Sequence, residues 1–272
     1  MALTEDTFIS HLVELRDRLI RALIAILVAF ALIGFWPTYG VIYDFLALPL
    51  IKTLPVGSKM IATGVITPFL IPLKVGLMAG FMLVLPYVLY QVWAFVAPGL
   101  YSHEKKLVVP LVISSTLLFF VGVAFCYYFV FGQLFSFIAG FAPASITPAP
   151  DIEQYLSFVL TMFLAFGVAF EVPVAIIVLV RMGVVSIAQL REFRGYFVVC
   201  ASIAAAVVTP PDVVSMLALL IPMYLLYEAG IIVASLMSKV KAPEEKTDVV
   251  VGTDPLAQQM AAIEKEQNSS GR

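Results

Sequence analysis

Only two cysteines and two histidines occur among the 272 residues, and neither pair is placed for chemistry. Cys126 and Cys200 both lie within apolar runs, which argues against a disulfide framework and a thiolate metal site. His11 and His103 have no companion Cys or carboxylate at metal-ligand spacing, so no metal is expected. A G-x-x-x-x-G-K-[ST] loop is also missing, so the chain has no ATP site of its own and implies no cofactor. Hydrolytic triads lack a base inside the apolar segments, so an enzyme is not expected, and neither is a nucleic-acid partner. Charge is scarce too: 12% of residues carry it, against about a quarter in a soluble domain.

What fills the chain instead is apolar: 62% of residues are hydrophobic and the mean hydropathy is +1.04. These residues fall in blocks of roughly 18–25, the length that crosses about 30 Å of hydrocarbon as a helix. The expected fold is therefore an all-α polytopic membrane protein. Six spans are predicted: Leu19–Trp36, Phe69–Ala97, Leu107–Gly132, Tyr155–Met182, Gly195–Thr209 and Val213–Leu236. Arg16, Arg18, Arg21, Lys105, Lys106, Arg181, Arg191, Arg194 and the tail lysines all fall on one side of this topology. Lys52 and Lys59 fall on the other, so both termini are expected in the cytoplasm. The first run follows an acidic leader and lacks a small-residue cleavage site, so it is expected to remain as a span. Residues 1–236 make the membrane domain, and 237–272 make a polar cytoplasmic tail expected to be disordered. In that tail, Asp254-Pro255 is a start signal for a short helix presenting Leu256, Met260 and Ile263.

About 15 residues separate Gly195 from Pro210-Pro211, and at 1.5 Å each they rise only ~22 Å. The fifth span is thus expected to be short, with the sixth following in a tight hairpin of short spans. Pro72, Pro86, Pro173 and Pro222 lie inside spans and should bend them, which favours a curved, concave wall over a straight bundle. The loop 37–68 is expected to form short helices, and Asp151 to cap the fourth span. Gly76 and Gly80 form a G-x-x-x-G pair that permits close helix packing.

The acids are the candidate functional groups. Glu14 lies on the lead-in to the first span, Glu104 in the loop between the second and third, and Glu171 within the fourth. Asp212 caps the last hairpin and Glu228 lies in the sixth span. An ionisable group in the bilayer costs a few kcal/mol or more, which makes Glu171 a functional candidate by default. Plainer roles stand beside these: Glu14 can pair with Arg18 four residues on, and Asp212 can be an N-cap. Glu171, protonated, can hydrogen-bond the carbonyl of Ala169 that Pro173 leaves free.

The leader His11-Leu-Val-Glu14-Leu-Arg16, the run Tyr90-Gln-Val-Trp-Ala-Phe-Val-Ala-Pro98-Gly-Leu, Glu104, Phe170-Glu171-Val-Pro173 and Thr209-Pro-Pro-Asp212 closely resemble the TatC family. That family supplies the multispanning subunit of the bacterial twin-arginine protein translocase. The resemblance runs from about residue 5 to 236 and implies a six-helix, glove-shaped receptor in the inner membrane. It implies that Glu14 and Glu104 bind the paired arginines of signal peptides on the cytoplasmic side. It also implies export of folded cargo driven by the proton-motive force, in a complex of several copies with single-span TatA and TatB subunits and membrane lipid. Those subunits would dock along the fifth and sixth spans near Thr209, with Ala206 and Met216 standing where polar residues are common in relatives. Glu171 would perturb the bilayer or receive a polar group, while Pro49 and Asp212 would act through the structure of the outer loops. A proton-coupled small-molecule transporter using Glu171 is the alternative, though it leaves Glu14 and Glu104 without a role.

Overall fold

The structure, a computed structural model, describes residues 2–34, 39–54, 60–96, 108–141, 149–209 and 213–240. The chain divides into a compact unit, Met1–Ser235, and a second, Leu236–Arg272, whose described part is the end of the last helix. Helix α1 covers Ala2–Gly34, α2 Tyr39–Ile51 and α3 Thr67–Val96. Helices α4 (Val108–Phe125) and α5 (Phe131–Phe141) are joined by a π-turn, Cys126–Val130. Then follow α6 (Ile152–Phe170), α7 (Val172–Arg181), α8 (Ile187–Glu192), α9 (Arg194–Val208) and α10 (Val213–Val240). Among the described residues the only extended pairing is an isolated bridge between Ile61 and Asp151.

Among the described residues, four stretches are long and apolar enough to cross a membrane: Thr67–Val96, Val108–Gly140, Ile152–Arg181 and Val213–Met237. Helix α9 is a shorter apolar helix of 15 residues, as the Pro210-Pro211 stop predicts. Two expectations need correction. The third span does not stop at Gly132 but runs on through α5, because a lone glycine weakens a helix without ending it when apolar residues continue on both sides. The sixth is not short: α10 has 28 residues, since helix-forming Leu, Met and Ala persist past Glu228 and Pro222 sits inside without breaking it. The loop 37–68 does contain a helix, α2.

Local chemistry explains the ends. Asp151 Oδ1 accepts from the Glu153 and Gln154 amides at 2.9 and 3.0 Å, giving α6 its N-cap. Gly183 sits at φ +70° just past α7, and the Gly183 and Val184 amides reach back to Val180 and Leu179 at 3.1 Å each. That is a Schellman ending, which needs a residue tolerant of positive φ. Ser186 and Gln189 then form a reciprocal capping box for α8.

With no water to expel from between lipid-exposed helices, their association depends on tight packing. The main core joins α3, the α4–α5 rod and α6 through Val75, Val130, Phe131, Leu156, Met162 and Phe166, among others. Close approach is set by small residues. A Cβ on Gly80 would fall 2.9 Å from the Phe30 backbone nitrogen of α1, and one on Gly122 would fall 2.6 Å from the Phe166 carbonyl. The second glycine of the G-x-x-x-G pair therefore lets α1 lie directly on α3.

Pro49 and the π-turn solve a shared problem. Pro49 lies inside α2 and has no N–H for the carbonyl of Phe45, four residues back. Tyr127, presented by the π-turn, donates its hydroxyl to that carbonyl at 2.7 Å and stacks on the Phe45 ring with centroids 4.6 Å apart. Tyr155 of α6 donates to the next carbonyl, Leu46, also at 2.7 Å. Two tyrosines thus hold α2 against the larger helices.

Candidate functional site at the head of the first helix

Helix α1 is continuous from its charged lead-in to its apolar stretch, so Glu14, Arg18 and His11 share one rigid face. The i,i+4 pair is present: Arg18 Nε and Nη2 both donate to Glu14 Oε1, at 2.9 and 2.6 Å. Both nitrogens land on one oxygen. Near the other, Oε2, the partner given by the described residues is His11 Nδ1 at 3.9 Å, beyond hydrogen-bond range. Two residues of α3 back this face. Buried Gln91 accepts from Arg18 Nη1 at 3.4 Å, and Phe95 stacks on the His11 ring with centroids 4.3 Å apart and planes 16° apart. Arg16 points elsewhere and pairs with Asp17 at 2.8 Å. Chemically, the arrangement among the described residues is a carboxylate held in place beside a guanidinium, with one oxygen left for a second donor. Glu104, the other predicted half of this site, lies outside the described residues.

Glu171 occupies the break between α6 and α7, where its N–H turns back to the Val168 carbonyl at 3.0 Å and Pro173 opens the next helix. Both carboxyl oxygens are buried, and no hydrogen-bond partner reaches them among the described residues. Ser115 of α4 is the polar group set against it. That hydroxyl accepts from Trp93 Nε1 at 2.8 Å, which leaves its own hydrogen available. The acid expected inside the fourth span is thus buried at a kink rather than paired in an ordinary salt bridge.

At the last hairpin, Thr209 is buried and its hydroxyl donates to the Ala205 carbonyl at 2.8 Å, while Ala206 is exposed. Met216 is half-buried against the main core, and Asp212 lies outside the described residues. Glu228 is paired with Arg194, whose Nη2 donates to Oε2 at 2.7 Å while Nε lies 2.7 Å from Oε1 in an ion-pair contact. Beside it Tyr227 donates to the Leu190 carbonyl at 2.7 Å and stacks on Phe197, fastening α8, α9 and α10 together. Among the described residues no three of His, Cys, Asp and Glu converge as metal ligands.

Sequence reasoning passed over Lys74 and Gln91. Lys74 sits within α3 and donates to Glu153 Oε1 at 2.9 Å and to Ser157 Oγ at 3.1 Å. Thr67 donates to the other oxygen of Glu153 at 2.8 Å. Asp151 Oδ2 accepts from the hydroxyl and amide of Thr63, at 2.6 and 3.0 Å. These bonds, together with the two cap amides, hold the Asp151 carboxyl down at about 2. A lysine inside an apolar run was the available signal for the first; nothing short of helix packing points to Gln91.

Comparison with known proteins agrees on one family. Residues 10–222 match the family described as Sec-independent protein translocase protein (TatC). The TatC of Escherichia coli K12 is 50% identical over 229 residues, covering 84% of this chain and 88% of that one. The TatC of Halothiobacillus neapolitanus is 48% identical over 234 residues, 86% of this chain, and this chain spans 63% of its length. A crystal structure of the twin-arginine translocase receptor TatC superposes with a TM-score of 0.74 at 38% identity, covering 84% of this chain and 99% of that one.

Proposed function

The chain belongs to the TatC family of Sec-independent protein translocase proteins, and from that premise we propose that it is a signal-peptide receptor whose docking charges are Glu14 and Glu104. A twin-arginine leader approaches from the cytoplasm and places one guanidinium on each carboxylate. The observation that carries this reading is Glu14 itself. It is anchored by α3 through Arg18 and Gln91, with Oε2 turned to the face that holds His11. A guanidinium offers a planar fork of donors, whereas an ammonium offers a point charge, so such a carboxylate favours arginine over lysine.

In this reading the six apolar segments, α1 and α9 included, all cross the bacterial inner membrane and both termini face the cytoplasm. The receptor works in several copies with TatA and TatB, which dock along α9 and α10 near Ala206, Thr209 and Met216. Glu171 acts after peptide binding, as a buried polar group met by a partner helix. Pro49 and Asp212 serve the architecture of the outer loops; for Pro49 the tyrosine–carbonyl bonds to α2 support that role. The small-molecule transporter built on Glu171 gains no support from the family or the matched structure.

The test is binding of a labelled Arg-Arg leader peptide and its Lys-Lys twin to the purified protein and to Glu14→Ala and Glu104→Ala. Each substitution should weaken the arginine peptide about ten- to a hundredfold, the loss of one charge-assisted pair of roughly 1.5–3 kcal/mol. Equal binding of both peptides, unchanged in the variants, would reduce the two glutamates to surface charges.

A further inference from the structure

The docking face already contains an arginine. We propose that Arg18 is a resident stand-in for the guest guanidinium: it occupies Glu14 while the site is empty and is taken up by Gln91 when a peptide arginine arrives. This rests on the reading of Glu14 as a docking charge.

Three features of the geometry lead to it. First, Arg18 binds Glu14 side-on, with both nitrogens on Oε1. A guest fork needs two in-plane oxygens for a bidentate pair, and one is already shared, so full engagement of the guest requires Arg18 to move. Second, Arg18 has somewhere to go. Its Nη1 already touches Gln91 Oε1 at 3.4 Å, a long bond that can tighten when Arg18 swings off the carboxylate. Third, Gln91 is a neutral acceptor buried on α3, so it holds a guanidinium without outbidding a carboxylate for it. Arg18 is the less exposed of the neighbouring arginines, its side chain 22% exposed against 66% for Arg16, and Arg16 is taken by Asp17.

The exchange has a physical advantage. A half-buried carboxylate without a cation is costly, and the resident arginine removes that cost in the empty receptor. Guest binding then swaps one guanidinium for another at Glu14, so releasing Arg18 offsets part of the affinity gained from the guest pair while the selectivity is kept. A cargo receptor that must release its signal peptide benefits from that. A lysine guest lacks the fork and displaces Arg18 poorly, so the resident also sharpens discrimination.

The experiment is the same peptide-binding assay on the full-length protein in nanodiscs, with melting checked for each variant. Arg18→Gln should bind the Arg-Arg peptide about three- to tenfold tighter, and Arg18→Lys, which keeps the charge but loses the fork, should tighten it by less. Arg16→Gln removes the same charge from the exposed neighbour and should not tighten it. Gln91→Leu should weaken binding, and its effect should vanish in the Arg18→Gln background, which a merely structural role for Gln91 would not allow. The proposal is overturned if Arg18→Gln weakens binding or leaves it unchanged. It also falls if Arg16→Gln, or the Lys-Lys peptide, shows the same gain, since that marks a general field effect. Glu14→Ala run in parallel separates the two failures. If it leaves binding intact, the docking reading itself is wrong; if it abolishes binding while the Arg18 series stays flat, only the stand-in is wrong.

Discussion

At the N-terminal end of α3, Thr67 and Lys74 close around Glu153, while toward its C-terminal end Gln91 and Phe95 face Arg18 and His11 of α1. The two places lie 17 residues apart on α3, ~25 Å along its axis. Both set a carboxylate against a cation, across two helices for Glu153 and Lys74 and within α1 for Glu14 and Arg18. At the first, each oxygen of Glu153 has a partner within 2.9 Å, and each oxygen of its neighbour Asp151 has two within 3.0 Å. At the second, Glu14 spends one oxygen on Arg18 while the other stands 3.9 Å from His11. A saturated carboxylate is a staple, since a guest would have to break as many bonds as it makes. One that is half-committed among the described residues, as Glu14 is, has capacity left. Chemical type alone does not separate a structural acid from a docking acid in this protein; completeness of its bonds does.

The sharpest way to break this comparison is to remove both acids and read two quantities. Glu14→Ala should cost about ten- to a hundredfold in affinity for the twin-arginine peptide and leave the melting temperature nearly unchanged, since its bonds are to a single neighbour one turn away on the same helix. Glu153→Leu should do the reverse. It strands Lys74 inside an apolar helix, so the melting temperature should fall while peptide affinity holds. A Glu153 variant that melts normally and binds poorly would mean that the two ends of α3 are not functionally separate.

A smaller effect tests whether the staples hold α2 as described. Tyr127→Phe removes the donor to the Phe45 carbonyl and should destabilise the protein by about 1 kcal/mol, read from thermal or denaturant unfolding. Pro49→Ala supplies a backbone N–H four residues beyond that same carbonyl. The double variant should therefore recover most of what Tyr127→Phe loses, a non-additivity that two unrelated positions would not show. Simple additivity would mean that Tyr127 acts through ring stacking on Phe45 and not through its hydroxyl.

The contrast also explains what was legible in the sequence. Apolar blocks with punctuating prolines identify helices reliably because hydropathy and backbone chemistry are local, and the Asp151 cap was readable for the same reason. The Glu14–Arg18 pair follows from i,i+4 spacing alone. What failed needed knowledge of neighbours. Gly132 looks like a stop until Phe131 and Leu134 are seen buried on either side of it. The π-turn at Cys126–Val130 exists to aim Tyr127 at a carbonyl that Pro49 vacates 82 residues earlier in the chain. Gln91 is an unremarkable amide in an apolar run until α1 is laid on α3, and Lys74 disappears when only loop charges are counted. Polar groups that act between helices are the ones a single helix cannot announce.

The last and smallest prediction uses the saturated end as a reference. Asp151 lies just outside α6, and its hydrogen bonds to Thr63, Glu153 and Gln154 lower its carboxyl from 3.8 to about 2. A carboxyl whose folded value lies below its unfolded one stabilises the fold above the unfolded value and loses that contribution as pH falls through the folded one. The stability difference between the wild type and Asp151→Asn should therefore be constant above pH ~4 and shrink steadily toward pH ~2. It should be read as the melting-temperature difference at each pH in one detergent, so that general acid effects cancel. Peptide affinity at neutral pH should not respond to this substitution, because the cap and the Thr63 bonds lie toward the opposite end of α3 from the Glu14 site. A difference that persists unchanged to pH 2 would show that the charge on Asp151 contributes nothing to the staple.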